Sequence, residues 1–259
     1  MNATLTGLRG LMLDLDGTVY EDNRLIPGAA GAIAALRERG FRLRFVTNTT
    51  NKRRETIRDK LHALGIESDA SEIFTAPVAA SLMLRRHPEA RCWVVTRGDS
   101  IQEFQGLRLD EDRPDFVVLG DLMEGFTFEL LNRVFRKLMD GAELIAMQKN
   151  RYWLTRGKLT LDMGPFVAAL EFATGRSARV IGKPSREFFR LALSHLGLPP
   201  HQAAMVGDDW ESDIGGAQTV GVRTILVRTG KYQPEDENNL DSRPDGIIEG
   251  LGHLPEILA

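Results

Sequence analysis

Leu11-Met12-Leu13-Asp14-Leu15-Asp16-Gly17-Thr18 is the stretch of this chain that decides its fold. Its short apolar run has the composition of a buried strand, and the glycine that follows indicates a turn. Asp14 and Asp16 therefore stand two residues apart, where that strand runs out into a loop. We expect the fold to be built around this strand, with the two carboxylates at its carboxyl end.

Three further apolar runs along the chain also end in polar residues. In an open parallel sheet, ligands gather beyond the carboxyl ends of the strands, where side chains from several strands converge. Four strands that each end in a polar residue therefore predict a single active site. The residues that follow the other three runs are Thr47-Asn48, Lys183, and Asp208-Asp209 with Asp213.

Helical patterns between these runs predict a parallel sheet. Pro27-Gly28 opens one helix, and apolar residues at helical spacing predict another over 55–64. Near the other end of the chain, Ser185 is placed to cap a helix that Gly197 would end. Alternating strands and helices at both ends of the chain predict an α/β fold with a Rossmann-like parallel sheet as its core.

The segment between the second and third runs is far longer than the helix and loop that connect neighbouring strands. An inserted domain explains that length. We predict a core formed by residues 1–76 and 179–259, and an α/β cap domain inserted at 77–178. The segment 149–153 mixes cations with aromatic residues, and it fits either a strand edge or a loop that faces substrate. The patterns in the insert predict strands at 92–96, 116–119 and 144–147 and a helix over 128–138 capped by Thr127.

The composition is that of an ordinary globular protein of 259 residues, with 42% hydrophobic and 27% charged residues. A formal net charge of -3 argues against nucleic acid or an anionic membrane as a partner. The first residues lack the pattern of a signal peptide, and nowhere do about 18 apolar residues run together. The one cysteine, Cys92, fits a reducing compartment. We therefore expect a soluble, cytoplasmic protein whose partners are small molecules.

The predicted site gathers carboxylates that cannot all stay ionised close together without a counter-charge. A divalent cation is the natural solution. The expected ligands are oxygens, with no cluster of cysteine or histidine, and this set favours Mg²⁺ that keeps water and a phosphate oxygen. The carboxylates are Asp14, Asp16, Asp208, Asp209 and Asp213.

Each motif taken alone has an ordinary structural explanation. Thr47-Asn48 is more often a turn, and Asp208-Asp209 could cap a helix. A Ca²⁺-binding loop that begins at Asp14 is excluded, because its twelfth position is Leu25 where a bidentate Glu is required. Four such motifs that all fall at strand ends favour the functional interpretation.

Together and in this order, the motifs resemble those of the haloacid dehalogenase superfamily of phosphohydrolases. The insert between the second and third motifs resembles the α/β cap of the class IIA, NagD-like branch. Two further stretches resemble the subgroup that contains haloacid dehalogenase-like hydrolase domain-containing proteins and phospholysine phosphohistidine inorganic pyrophosphate phosphatase. The stretches that carry the resemblance are Asp14 to Thr18, Thr47-Asn48, Gly182-Lys183-Pro184, Gly207-Asp208-Asp209 with Asp213, Gly164 to Glu171, and Thr229-Gly230-Lys231-Tyr232.

The resemblance implies a role for each motif residue. Asp14 would be the nucleophile that forms an aspartyl phosphate, and Asp16 would be the general acid and then the general base. Thr47, Asn48 and Lys183 would bind the phosphoryl oxygens. The metal would be held by Asp14, the backbone carbonyl of Asp16, and Asp208, while Asp209 and Asp213 would orient bound water and Lys183.

One position departs from that subgroup, several of whose members carry Ser where this chain has Asp16. A carboxylic acid there supplies the proton that a leaving alkoxide needs, so the departure favours hydrolysis of phosphomonoesters and argues against a direct transfer of substrate from those relatives. Dehalogenation is disfavoured, because a leaving halide needs no such proton.

The resemblance implies a Mg²⁺-dependent phosphatase that acts on small phosphorylated metabolites. A mutase-like phosphoryl transferase on the same core and a non-catalytic binding protein of the same fold are the alternatives. Sugar phosphates, nucleotides, pyridoxal phosphate, phosphoglycolate and pyrophosphate all stay open as substrates. Class IIA relatives often dimerise through the cap, and the apolar strands of this insert would permit a homodimer.

Overall fold

The strand that ends in the first predicted carboxylate, Gly10–Asp14, pairs in parallel with Arg42–Thr47 on one side and Ala203–Gly207 on the other. All its residues are buried, as expected for a strand of a parallel sheet that is covered on both faces. The computed structural model describes residues 5–155, 158–238 and 243–258. The sheet has the strand order Gly246–Ile248, Arg223–Val227, Ala203–Gly207, Gly10–Asp14, Arg42–Thr47 and Ile73–Thr75.

This sheet confirms the predicted α/β fold with a Rossmann-like core. A short antiparallel hairpin, Tyr20–Glu21 with Arg24–Leu25, follows the first strand. The helices that accompany the six-stranded sheet are Ala29–Glu38, Arg54–Ala63, Arg186–Leu196, Gly216–Gln218 and Leu254–Ile257. A π-helical turn lies at Trp210–Gly215, and 3-10 turns lie at Ala70–Glu72, Pro200–Gln202, Pro234–Asn238 and Leu251–His253.

The sequence signals at the ends of the Arg186–Leu196 helix are confirmed. The Ser185 hydroxyl accepts a hydrogen bond from the backbone N–H of Phe188, which satisfies one of the donors left open at a helix start. Gly197 ends the helix in the left-handed conformation that glycine adopts without a steric penalty. The buried face of this helix, which includes Phe188 and Phe189, packs in the core.

The chain divides into two units, and the second is inserted into the first. Residues 48–53, which the sequence-based division gives to the core, lie in the second unit. The reason is local hydrogen bonding: the Asp121 N–H donates to the Thr50 hydroxyl at 2.9 Å, and the Arg53 N–H donates to Asp99 at 2.8 Å. The first unit comprises 1–47, 54–74 and 183–259, and the second comprises 48–53 and 75–182.

The second unit has a five-stranded parallel sheet of its own and a separate antiparallel hairpin. The Thr127 hydroxyl accepts from the Leu130 N–H, so the predicted cap of the central helix is confirmed. The segment 149–153 leads into the first strand of the hairpin. The sheet order is Arg179–Val180, Glu143–Ala146, Phe116–Leu119, Arg91–Val95 and Arg108–Leu109; the hairpin is Tyr152–Thr155 with Lys158–Leu161; the helices are Ala76–Leu84, Phe128–Met139 and Gly164–Thr174, with 3-10 turns at Ser100–Phe104 and Met123–Gly125.

The expectation that Lys183 ends a strand of the core sheet is wrong. The strand before it, Arg179–Val180, pairs with Glu143–Ala146 in the sheet of the second unit. Lys183 instead lies in the loop that leads to Ser185 and the following helix. An apolar run of three residues carries too little pattern to determine which of two sheets it joins.

Among the residues that the structure describes, no helix combines the length and the apolar character needed to cross a membrane.

His195 is held as a neutral ring against the core sheet. Arg44 Nε lies 2.9 Å from His195 Nδ1, and Arg44 Nη2 donates to the His195 carbonyl at 2.9 Å. Burial, followed by the positive charges of Arg44 and Arg54, lowers the pKa of His195 to about 4. The imidazole therefore stays unprotonated in the folded state at a pH where an unfolded histidine takes up a proton.

We expect His195 to make the free energy of unfolding fall as the pH drops from about 6.5 to about 4. The neutral ring favours the folded state at a pH above the pKa that this histidine has in the unfolded chain. This contribution is lost as the pH falls through the lower pKa that it has in the folded state. Because the ring is only half-buried, solvent screening limits the loss to about 1–2 kcal/mol. Urea titrations at pH 7 and pH 5 should show a smaller pH dependence for His195→Gln than for the wild type.

The matched control for this prediction is His201→Gln, at an exposed position in the same unit. It should keep the pH dependence of the wild type. An unchanged pH dependence in His195→Gln would contradict the assignment.

Candidate active site

The first unit brings four of the predicted residues into one buried cluster, which we call the carboxylate cluster: Asp14, Lys183, Asp208 and Asp213. Lys183 Nζ donates to Asp14 Oδ1 at 2.5 Å and to Asp213 Oδ1 at 2.6 Å. One oxygen from each of the three carboxylates lies within 4.8 Å of the others. The exposed fraction of every member is 6% or less, so these charges meet away from bulk water.

Each member of the cluster comes from a different element of the core. Asp14 is the last residue of its strand, and Asp208 directly follows the neighbouring strand Ala203–Gly207. Asp213 lies in the π-helical turn Trp210–Gly215, whose start is capped because Asp209 accepts from the Ser212 N–H at 2.9 Å. The strand ends thus place two carboxylates, and the turn places the third.

The charges of the carboxylate cluster perturb one another. Burial first, and then the charges of Asp14 and Asp213, raise the pKa of Asp208 well above its ordinary value. Burial also raises the pKa of Asp213 to about 7, although Lys183 opposes that shift. Burial by itself would lower the pKa of Lys183, but the Asp14 and Asp213 carboxylates outweigh it and raise that pKa. Lys183 is therefore a fixed cation beside an excess of negative charge.

This excess of negative charge fits a divalent cation. The cluster offers carboxylate oxygens, which are the ligands that Mg²⁺ prefers, and its three carboxylates face the single ammonium of Lys183. Asp14 and Asp208 are predicted metal ligands, and both lie in the carboxylate cluster. Asp213, predicted to act behind the metal, also lies within ligand distance of the other two.

Asp16 lies outside the buried cluster. It is an exposed residue of the loop after the first strand, and it forms an isolated bridge with Tyr20. The Gly17 N–H donates to the Tyr20 carbonyl at 2.7 Å, which folds this loop back on the hairpin. Burial first, then the nearby carboxylates of Asp16 and Asp14, raise the pKa of the Tyr20 phenol. Asp16 is therefore exposed to solvent, whereas Asp14 is buried.

The two residues of the second motif fall in different units. Thr47 is the buried last residue of the Arg42–Thr47 strand, beside the strand that carries Asp14. Asn48 belongs to the second unit. Its role in phosphate binding stays a prediction.

A loop that the sequence motifs do not assign to the site also contacts it. The backbone N–H of Lys231 donates to Asp208 Oδ2 at 2.7 Å, and the Lys231 ammonium contacts Asp209 at 2.8 Å. Thr18 donates to the other oxygen of Asp208 at 3.3 Å. The sequence signal was available, because Thr229-Gly230-Lys231 closely follows a strand of the same sheet, Arg223–Val227.

Two family models match the chain, and the first of them extends into the inserted segment. The haloacid dehalogenase-like hydrolase model matches residues 11–109, and a HAD-hydrolase-like model matches residues 180–254. Human haloacid dehalogenase-like hydrolase domain-containing protein 2 is 39% identical over 251 residues, which cover 97% of this chain and 96% of that protein. Human phospholysine phosphohistidine inorganic pyrophosphate phosphatase is 36% identical over 260 residues, which cover 98% of this chain and 95% of that protein.

Solved structures of phosphatases have the same fold. A 4-nitrophenylphosphatase from Thermotoga maritima superposes with a TM-score of 0.92 at 29% identity, covering 99% of both chains. A glycerol phosphate phosphatase from Mycobacterium tuberculosis, solved in complex with magnesium, superposes with a TM-score of 0.87 at 29% identity, covering 97% of this chain and 77% of the other.

Proposed function

The chain belongs to the haloacid dehalogenase-like hydrolase family, in its class IIA branch, and from that premise we propose that it is a Mg²⁺-dependent phosphatase of small phosphomonoesters. The observation that carries the proposal is the buried contact of Lys183 with Asp14, inside a cluster that also holds Asp208 and Asp213. A carboxylate nucleophile, a fixed cation and a set of metal ligands are the parts that phosphoryl transfer requires.

Asp14 is the nucleophile in this proposal. One of its oxygens forms a bond to phosphorus while the bond from phosphorus to the leaving oxygen breaks, which leaves an aspartyl phosphate. Lys183 supports the step, because a fixed ammonium 2.5 Å from the carboxylate offsets its charge as the anionic phosphoryl group approaches.

Asp16 supplies the proton chemistry. Its exposed position beyond Asp14 suits a group that meets the leaving oxygen of a substrate entering from solvent. It gives a proton to that oxygen in the first step, and in the second step it takes a proton from the water that attacks phosphorus. The aspartyl phosphate is then released as Asp14 and inorganic phosphate, with Asp16 protonated again.

The remaining motif residues hold the phosphoryl group and the metal. Thr47 donates its hydroxyl and Asn48 its amide to phosphoryl oxygens. Asp14, the Asp16 carbonyl and Asp208 would hold Mg²⁺, and Asp209 and Asp213 would orient its water and Lys183. When bound, the ion neutralises charge on the phosphoryl oxygens. The magnesium complex of the mycobacterial phosphatase supports this choice of metal.

The substrate proposed is a small phosphomonoester, with pyrophosphate as a second candidate. The names of a human pyrophosphate phosphatase relative and of a glycerol phosphate phosphatase neighbour support this range.

We also propose a homodimer that uses the second unit, where Phe172, Leu159 and Leu161 are exposed apolar side chains. Light scattering of the purified protein tests the dimer. The cytoplasm is the location we propose.

Removal of the metal tests the central proposal. In excess chelator, release of phosphate from p-nitrophenyl phosphate should fall to background, and added Mg²⁺ should restore it, because the three carboxylates of the cluster face only one ammonium, that of Lys183. Undiminished turnover in the chelator refutes the metal dependence.

Incorporation of ¹⁸O from water into the released phosphate separates a hydrolase from a mutase, which keeps the phosphoryl group esterified.

Gly230→Ala should lower the rate of phosphate release by about 10²-fold. A Cβ at this position would lie 2.1 Å from Asp208 Oδ2 and 2.6 Å from the Gly17 Cα, so the carboxylate must move. Steady-state kinetics with p-nitrophenyl phosphate measure the effect.

Gly40→Ala is the control for Gly230→Ala, because Gly40 also has a positive φ (82°) but no atom within 4 Å of the added Cβ. It should cost about 1 kcal/mol of stability and leave the rate unchanged. Equal rates for both variants would show that the position of Asp208 is not critical.

A further inference from the structure

The segment Thr229-Gly230-Lys231 contacts the loop that follows Asp14 and the loop that carries Asp208 and Asp209, and none of the catalytic steps above assigns it a role. It lies just beyond the Arg223–Val227 strand, two strands away from the strand of Asp14 in the core sheet. We call it the 229–231 segment.

The first contact joins the segment to the loop of the nucleophile. The Thr229 hydroxyl donates to the Gly17 carbonyl at 2.5 Å. Gly17 follows Asp14 by three residues and adopts φ 92°, a conformation that glycine tolerates and side-chain-bearing residues rarely adopt. Thr229 therefore holds the turn of the nucleophile loop at its carbonyl.

The second contact fixes the Asp208 carboxylate on two sides. Its Oδ2 accepts from the Lys231 backbone N–H at 2.7 Å, and its Oδ1 accepts from the Thr18 hydroxyl at 3.3 Å. A Cβ added at Gly17 would lie 2.2 Å from Oδ2, and a Cβ added at Gly230 would lie 2.1 Å from the same oxygen. The carboxylate thus sits in a slot between two glycines, with a donor for each oxygen.

The third contact joins the segment to the turn that carries Asp213. The Lys231 ammonium contacts Asp209 Oδ2 at 2.8 Å, while Asp209 Oδ1 caps this turn at Ser212. The Asp209 backbone N–H in turn donates to Asp213 Oδ2 at 3.3 Å. One short segment therefore contacts the loop that follows Asp14, the Asp208 carboxylate, and the residue that caps the turn of Asp213.

We propose that the 229–231 segment is a clamp that sets the orientation of the Asp208 carboxylate, and that Thr229 and Lys231 are positioning residues for the divalent cation. The inference rests on the proposed function, because it assumes that Asp208 is a metal ligand. Partners that orient a metal ligand raise the affinity of the site for the metal, and their loss typically costs about 10- to 100-fold.

Thr229→Val tests the clamp, because valine keeps the shape of threonine and removes the hydroxyl. The dissociation constant of Mn²⁺ for the substrate-free protein, measured by calorimetry, should rise roughly tenfold. The Mg²⁺ concentration for half-maximal hydrolysis of p-nitrophenyl phosphate should rise by the same factor, while kcat at saturating Mg²⁺ should stay within about twofold of the wild type. Thr229→Ser, which keeps a hydroxyl, should restore the affinity.

Thr219→Val is the matched control. Thr219 also donates its hydroxyl to a backbone carbonyl of the same unit, that of Gly216 at 2.6 Å, but it does not touch the carboxylate cluster. It should lower the melting temperature about as much as Thr229→Val and leave Mn²⁺ affinity unchanged. Equal Mn²⁺ affinity in Thr229→Val and the wild type overturns the clamp.

The two proposals fail in different ways. A wild-type protein that binds Mn²⁺ but hydrolyses none of a panel of phosphomonoesters overturns the proposed function, while a weaker Mn²⁺ affinity in Thr229→Val would still support the clamp. A wild-type protein that binds no Mn²⁺ overturns both.

Lys231→Gln keeps the backbone donor and removes the contact with Asp209, so its Mn²⁺ affinity should fall by a smaller factor, about threefold.

Discussion

Replacing Asp14 with Asn is expected to abolish phosphate release, with a loss of at least about 10⁴-fold in kcat. An amide has the shape of the carboxylate and can still accept the hydrogen bond from Lys183, but it is too weak a nucleophile to attack phosphorus. The fold should survive, because the variant removes one of the charges that raise the pKa of Asp208, and because Lys183 keeps its buried ion pair with Asp213 at 2.6 Å. Its free energy of unfolding should match or exceed the wild type, by about 1 kcal/mol at most.

Asp16→Asn is the matched partner of this variant. It should slow both chemical steps and leave the binding of inorganic phosphate intact, because Asp16 lies outside the buried cluster. Titration with inorganic phosphate and single-turnover kinetics separate binding from chemistry. If Asp14→Asn kept the wild-type rate while Asp16→Asn did not, the assignment of the nucleophile would be wrong.

Lys183→Met is expected to damage both stability and activity. The variant leaves Asp14 and Asp213 buried without the ammonium that lies 2.5 and 2.6 Å from them. Breaking a buried ion pair by removing one partner costs about 3–5 kcal/mol. The rate should fall at least about 10³-fold, since the fixed positive charge beside the nucleophile is lost. Urea unfolding and steady-state kinetics measure the two effects.

Lys149→Met provides the control for the stability effect. Lys149 also forms a close ion pair, with Glu171 at 2.6 Å, but its side chain is 38% exposed. A solvent-screened pair of this kind contributes at most about 1 kcal/mol. Similar losses for Lys183→Met and Lys149→Met would contradict the view that burial makes the Lys183 contacts costly to break.

Most of the core was predictable because its signals are local. The apolar run before Asp14, the cap at Ser185 and the glycine at 197 each determine a strand or a helix end from neighbouring residues. The central strand needed no partner to be recognised, because a strand covered on both faces is apolar at every position. The family resemblance followed from the same short motifs.

Pairing between distant strands was not predictable in the same way. The apolar run 180–182 before Lys183 was expected to form a strand of the core sheet, but the strand there, Arg179–Val180, pairs with Glu143–Ala146 in the second unit. Lys183 nevertheless reaches the cluster, because the loop before Ser185 delivers it. The sequence shows where a strand ends, whereas the sheet it joins depends on contacts with distant parts of the chain.

The sequence by itself determined which residue types could do the chemistry: a carboxylate at the end of the first strand, a lysine, and a group of aspartates. Tertiary structure alone decided that Lys183 lies between Asp14 and Asp213, and that the 229–231 segment holds Asp208 against Gly17. The physical reason is that side-chain chemistry is a property of each residue, while distances between charges exist only after the strands have paired.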